Sequence, residues 1–144
     1  MKVIKFPSHQ VKEYQEALRI RRIVFIEEQR VPEDIEIDEF EDSSTHFLIY
    51  DGEEAVGAAR LRVKGPWIKF ERIAVLNSMR GKGAGKELVE KMMAHAHVHF
   101  PHLAPMMNSQ LSAEGFYRKL GWKPQGEVFY EAGIPHIQMV ITTS

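Results

Sequence analysis

Apolar positions along the chain follow two rhythms, and the places where one gives way to the other outline the elements. KVIKF (Lys2 to Phe6) is short and β-branched, stopped by Pro7, and predicts a first strand. Ser8 stands where it can cap the helix that follows. In VKEYQEALRIRRIVFIEEQ, Tyr14, Ala17, Leu18 and Ile20 to Ile26 return with helical spacing, as one helix or as two with a bend, ending before Val31-Pro32. EDIEIDEFED (Glu33 to Asp42) has no apolar stripe and reads as an exposed acidic loop. THFLIYDGEEAVGAARLRV predicts two strands joined at Asp51-Gly52, and WIKFERIAVL, after Gly65-Pro66, a third. Leu88, Val89, Met92, Met93 and Ala96 form the stripe of a helix ending near Pro101. APMMNSQ then predicts a strand, SAEGFYRKLGW a short helix closed by Gly121, and GEVFYEAGIPHIQMVIT a final pair of strands. Several antiparallel strands around a central strand-loop-helix indicate a mixed α/β (α+β) sheet flanked by helices.

Composition narrows the class. The 144 residues fit one domain, 1–144, without internal repeat or linker. Hydrophobic residues at 44% and charged residues at 27% give a soluble globular balance. A formal net charge of -1 offers no footprint for nucleic acid. The absence of cysteine excludes disulfides, a thiol nucleophile and thiolate metal ligands. MKVIKFPSHQ lacks the apolar core of a signal peptide, and no apolar run is long enough to span a bilayer, so a cytoplasmic protein without membrane contact is expected.

The stretch RGKGAGKELVEKM (Arg80 to Met92) raises a chemical question, because three glycines occupy five positions at a helix entrance. Glycine weakens a helix interior by about 1 kcal/mol relative to alanine, so the cluster suggests that a ligand must approach the backbone. Free amides and the positive end of the dipole make such an entrance an anion site, and Arg80, Lys82 and Lys86 favour a pyrophosphate. The loop matches neither the phosphate loop of nucleotide hydrolases nor the dinucleotide fingerprint. A turn that merely lets the helix pack tightly is the competing reading.

IAVLNSMRGKGAGKELV resembles the central motif of the GNAT-superfamily N-acetyltransferases, whose arginine/glutamine-x-x-glycine-x-glycine/alanine pattern falls on Arg80, Gly83 and Gly85. NSQLSAEGFYRKLGW resembles the family's next motif, with tryptophan at Trp122 where phenylalanine or tyrosine is more usual. The flanks RRIVFIEEQRVPEDIEIDEFEDSSTHF and EAGIPHIQM look like those of the small bacterial YjcF- or ElaA-like acetyltransferases. The resemblance implies a GNAT fold and an enzyme that moves an acetyl group directly from acetyl-CoA to a primary amine of a small molecule, or alternatively of a peptide. It also implies that Gly81, Lys82, Gly83, Ala84, Gly85 and Lys86, with Arg80, hold the pyrophosphate. Ile73, Ala74 and Val75 would pair with the pantetheine arm like an added strand, the Val75 amide meeting the thioester oxygen, with Asn108 on the neighbouring strand.

By the same resemblance Tyr117 is the general acid, a phenol that holds its proton at neutral pH, against the reading that it only packs beside Phe116. Glu71 is the candidate base, although a strand glutamate is as often salt-bridged. Arg21, Phe25, Glu28 and Gln29 on the first helical stretch, and His136 on a late strand, are acceptor-side candidates. His136 and His46 fit equally well as satisfied core histidines. His95 and His99 have i,i+4 spacing, but two ligands fall short of the three or four a metal needs, and no metal is expected. Two alternatives stay open. RxxVF, an acidic ExD segment and AARLRV also resemble acyl-homoserine-lactone synthases, for which the chain is short and lacks a tryptophan soon after Phe25. The other is a catalytically silent acetyl-CoA-binding module. Dimerisation through sheet edges is common in the fold.

Overall fold

The computed structural model describes residues 1–141; Thr142, which the apolar pattern adds to the last strand, lies outside them. Seven strands form one sheet in the order β1-β2-β3-β4-β5-β7-β6. They are β1 (Lys2–Phe6), β2 (Thr45–Asp51), β3 (Glu54–Lys64), β4 (Trp67–Val75), β5 (Ala104–Gln110), β6 (Lys123–Glu131) and β7 (Ile134–Val140). Every neighbouring pair is antiparallel except β4 and β5, which the helix α3 (Ala84–His99) links as a crossover. The mixed, mostly antiparallel sheet expected from the sequence is therefore present.

Both faces of the sheet are covered, and the alternation within β2 shows how the sequence achieves this. Phe47 and Ile49 point to the side of α3, where they join Leu61, Phe70, Leu88, Met92, Met107, Trp122 and Met139. Leu48, between them, points to the side of α1 (Val11–Arg21) and meets Phe6, Ala17, Ile20 and Val24. Burying a side chain such as Leu88 contributes about 1.5–3 kcal/mol relative to leaving it exposed. Gly57 lets the layers close, since a Cβ there would lie 2.8 Å from Ile49 and 3.2 Å from Leu88.

Three local expectations are corrected. Ser8 caps nothing: α1 begins at Val11 behind Gln10 with no side-chain cap, and the Ser8 hydroxyl donates to Asp42 at 2.6 Å. The first helical stretch ends before Val31-Pro32 as expected, but it does not bend into a second α-helix: it continues from α1 as a wider π-helical segment, Arg22–Glu28. The changed winding keeps Val24 in the core while Phe25 and Gln29 reach the cleft described below. The acidic run is not a solvated loop. It contains the short helix α2 (Glu33–Glu36), and Glu36 and Glu41 are buried. The reason lies in two fully buried guanidinium groups, Arg21 on α1 and Arg60 on β3, which draw carboxylates inward because an unpaired buried charge is very costly.

Candidate active site

Among the described residues, the one parallel pair of the sheet comes apart halfway along. β4 and β5 pair from Trp67 opposite Ala104 to Phe70 opposite Met107, and there the ladder stops. Beyond that point β4 remains held by β3, with Gly57 opposite Val75 and Ala58 opposite Ala74, while β5 remains held by β7. What parts the strands is a bulge: the β3 register shifts between Ala58 and Arg60, opposite Arg72, whose φ is +55°. Such a φ is strained for a residue with a side chain, and the Arg72 guanidinium holds it in place through Glu36, the Ile35 and Glu36 carbonyls and Asp38.

The gap is a cleft of about 420 Å³. Ile73, Ala74 and Val75 line one wall and Asn108, Ser109 and Gln110 the other. Leu76 donates its N–H to Val56 of β3 at 2.9 Å, so by alternation the neighbouring Val75 N–H points away from β3, into the gap. The Val75 carbonyl accepts from Arg80 Nε at 3.0 Å.

Beyond Val75 the chain turns through Asn77–Met79 and the glycine loop into α3. Gly81 and Gly83 have φ of +79° and +88°, and a Cβ at either would meet nothing within 4 Å. These two are glycine for their backbone conformation and leave open space above it. Gly85 is glycine for contact, a Cβ there lying 3.2 Å from Phe116 and 3.8 Å from Val75. No side chain caps α3, so the amides of its first turn, Ala84, Gly85 and Lys86, are available to a ligand. The loop thus presents free amides and open space next to the Val75 end of the cleft, with Lys82 and Lys86 exposed beside it.

Tyr117 lines the cleft from α4 (Glu114–Lys119). Its ring packs edge-on against Phe116 at 5.0 Å, and its hydroxyl makes no hydrogen bond among the described residues. Burial pushes the phenol well above its ordinary value, so it holds its proton.

Glu71 lines the same cleft but is spoken for. Its carboxylate receives Arg60 Nη2 at 2.8 Å, Arg62 Nε at 3.0 Å and Lys69 Nζ at 2.9 Å. Burial raises its proton affinity, but Arg62, Arg60 and Lys69 outweigh burial and hold the group well below the usual carboxylate range. A carboxylate so clamped is a poor acceptor for an amine's proton.

The acceptor-side candidates divide. Phe25, Gln29 and His136 line the cleft, Gln29 accepting from Gln110 at 2.6 Å. Arg21 does not: it is buried, donating to Glu36 at 2.8 Å and to Glu41 at 2.7 and 2.9 Å, and is structural. Glu28 pairs with Arg80 at 2.8 Å, tying the helical segment to the loop. Arg60, Arg62, Lys69 and Arg72, which set the charge around Glu71 and fix the bulge, carry no local signal, since charged residues in a strand normally mark a solvated edge. His46 is a core histidine, with Nε2 2.8 Å from the Glu41 carbonyl. His95 and His99 pack ring to ring at 4.3 Å, and no group of three or more metal-ligating side chains is assembled among the described residues.

Among the described residues, a sheet opened at its one parallel pair, with an uncapped helix entrance beside the gap and a neutral phenol lining it, is the arrangement of a class of acyl-transferring enzymes. The chain belongs to the GNAT acetyltransferases: the family's acetyltransferase (GNAT) domain matches residues 11–143. It is 41% identical over 130 residues to the uncharacterized N-acetyltransferase YjcF of Bacillus subtilis (strain 168), covering 90% of this chain and 92% of that one. The crystal structure of Escherichia coli ElaA superposes with a TM-score of 0.87 at 27% identity, over 99% of this chain and 100% of that one. An aminoglycoside 6'-N-acetyltransferase complexed with coenzyme A shares the fold, with a TM-score of 0.77 at 16% identity over 100% and 99% of the two chains. No helix among the described residues is long and apolar enough to cross a membrane.

Proposed function

We propose that this protein transfers an acetyl group from acetyl-CoA to the primary amine of a small molecule. The observation that carries the reading is the parting of β4 from β5, because it turns the Val75 N–H into a cleft whose Val75 end adjoins the glycine loop at Gly85. The α3 amides, Lys82 and Lys86 suit a pyrophosphate, and the parted strand edge suits the amide-bearing pantetheine arm, which can pair with it as an added strand. A structural neighbour holding coenzyme A supports the same choice of donor.

The residues divide the chemistry as follows. The Val75 amide donates to the thioester oxygen, where negative charge develops as the amine attacks. Tyr117 supplies the proton to the departing thiolate; the dry surroundings that raise the phenol raise the thiol's proton affinity too, so the two remain matched. Direct transfer needs no covalent enzyme intermediate, in keeping with a chain that has no cysteine. Phe25 and Gln29 face the acceptor.

The test is thiol release from acetyl-CoA across a panel of amines, polyamines, amino sugars and lysine peptides, alongside calorimetry with coenzyme A. Micromolar binding and amine-dependent release are expected, fastest with a small amine. Absence of binding by any CoA species at millimolar concentration would overturn the reading; peptides turning over faster than every small amine would move the acceptor to proteins.

A further inference from the structure

With Glu71 committed to three cations, the reaction still needs a group that takes a proton from the incoming ammonium. The other charged side chains on that side of the cleft are committed as well: Glu36 and Arg72 to each other at 3.0 Å, and Lys69 to Glu71. Arg80 is held by Glu28 at the mouth. Two titratable groups lining the cleft, besides Tyr117, are engaged in none of these pairs: His136 on β7 and Glu131 at the end of β6.

The surroundings of His136 fix its proton as well as its ring. It stands opposite Gln110 of β5 and Phe129 of β6, 8% exposed. Its Nδ1 lies 2.7 Å from the Ile134 carbonyl oxygen. A carbonyl can only accept, so the hydrogen of the neutral ring belongs on Nδ1 and the lone pair on Nε2. The ring also stacks on Phe129, with centroids 5.9 Å apart and planes at 26°. Nε2 makes no hydrogen bond among the described residues, and Glu131 Oε2 stands 4.0 Å from it. That carboxylate is placed to draw in a cation and to stabilise an imidazolium once formed.

We propose that His136 is the general base of this enzyme, an assignment that rests on the amine-acetylation reading above. Nε2 accepts a proton from the acceptor ammonium and passes it to solvent beside half-exposed Glu131. The amine lone pair freed in this way attacks the thioester carbon; the C–N bond forms, the C–S bond breaks, and the sulfur electron pair takes the Tyr117 proton. The second nitrogen proton leaves as the amide forms and restores the phenol through water, so that one ammonium and one thioester give one amide, one thiol and one proton released to solvent. The Nε2 lone pair, turned away from the carbonyl that Nδ1 engages, is the free acceptor that this step needs.

His136→Gln keeps a polar side chain of similar reach without a titrating nitrogen. At neutral pH, kcat/KM for the amine should fall about 10²-fold or more, with acetyl-CoA affinity unchanged within about twofold. The acid limb of the kcat/KM profile should move upward to follow deprotonation of the amine itself, so that the deficit shrinks as pH rises. Glu131→Gln should retain the acid limb and raise KM more than it lowers kcat. A His136→Gln enzyme whose acid limb stays where the parent's lies, with a loss of less than about threefold, overturns the assignment. Long-range ¹H–¹⁵N NMR of the parent protein tests it without any acceptor: a neutral ring protonated on Nδ1 is expected, and one protonated on Nε2 overturns it. Failure of the amine-acetylation reading would show differently, as absence of CoA binding with the tautomer as described.

Discussion

Tyr117 and Glu71 line one cleft, and their surroundings set them apart chemically. The phenol is buried without a charged partner, so it keeps its proton; the carboxylate is buried against three cations, so it keeps its charge. One is fit to give a proton and the other is not fit to take one. Tyr117→Phe preserves the ring against Phe116 and removes only the hydroxyl, so turnover should fall by about 10²-fold or more while acetyl-CoA affinity holds. Because burial moves the phenol upward, its ionisation should contribute no alkaline limb below pH 10, and the loss in the variant should be constant from pH 7 to pH 10. Stopped or steady-state thiol release over that range decides the matter; a loss under about threefold makes Tyr117 a packing residue.

Two elements carry the architecture of the site, and each can be broken separately. The glycine loop is a backbone device: Gly83, at φ +88° with open space around a would-be Cβ, can be changed without a clash inside the protein. Gly83→Val should therefore cost the fold about 1–3 kcal/mol through backbone strain, while lowering CoA affinity more than tenfold by filling the space over the α3 amides. Calorimetry for binding and melting for stability separate the two, and equal affinity in parent and variant would reduce the loop to a packing turn. The segment that follows the π-helix is an electrostatic device. Burial raises the proton affinity of Glu41, but hydrogen bonds and charge from Arg21 and Arg60 more than offset this and bring it down to about 2. A depressed folded value means that Glu41 contributes stability above its unfolded value of about 4.3, and that this is lost as pH falls towards 2. Glu36 works in the opposite sense, since burial outweighs Arg72 and Arg21 and raises it. Acid unfolding followed by circular dichroism should thus steepen between about pH 4.3 and 2. Glu41→Gln should flatten that window and, by leaving Arg21 and Arg60 under-paired, cost about 3–5 kcal/mol at neutral pH; a variant as stable as the parent would show the clasp to be dispensable.

At the scale of the whole molecule, the cleft exists because β4 is held by β3 and β5 by β7 beyond the point where they part, so a ligand that bridges them selects the folded state. Acetyl-CoA at about 100 times its dissociation constant should add about 2.7 kcal/mol and raise Tm by several degrees. Thermal melts with and without the thioester measure this, and an unchanged Tm would count against a site that spans the two halves of the sheet. Much of this molecule was legible in the chain. The strands KVIKF and APMMNSQ, the α3 stripe and the glycine loop are set by local rules, namely alternation, helical spacing and the φ that only glycine adopts readily. The family motif marks Tyr117. What the chain could not disclose depends on who meets whom across long separations. Arg21, Glu36, Glu41, Arg60 and Glu71 look like surface charge in one dimension and become a buried network only when α1, the acidic segment, β3 and β4 are brought together. The left-handed turn at Arg72 has no local signal, because its strain is held by partners more than thirty residues away in the acidic segment. The tautomer of His136 likewise follows from where β7 places a carbonyl beside its ring. Periodicity is a property of neighbours along the chain, whereas charge pairing, strain and proton placement are properties of neighbours in space, and those only the folded sheet decides.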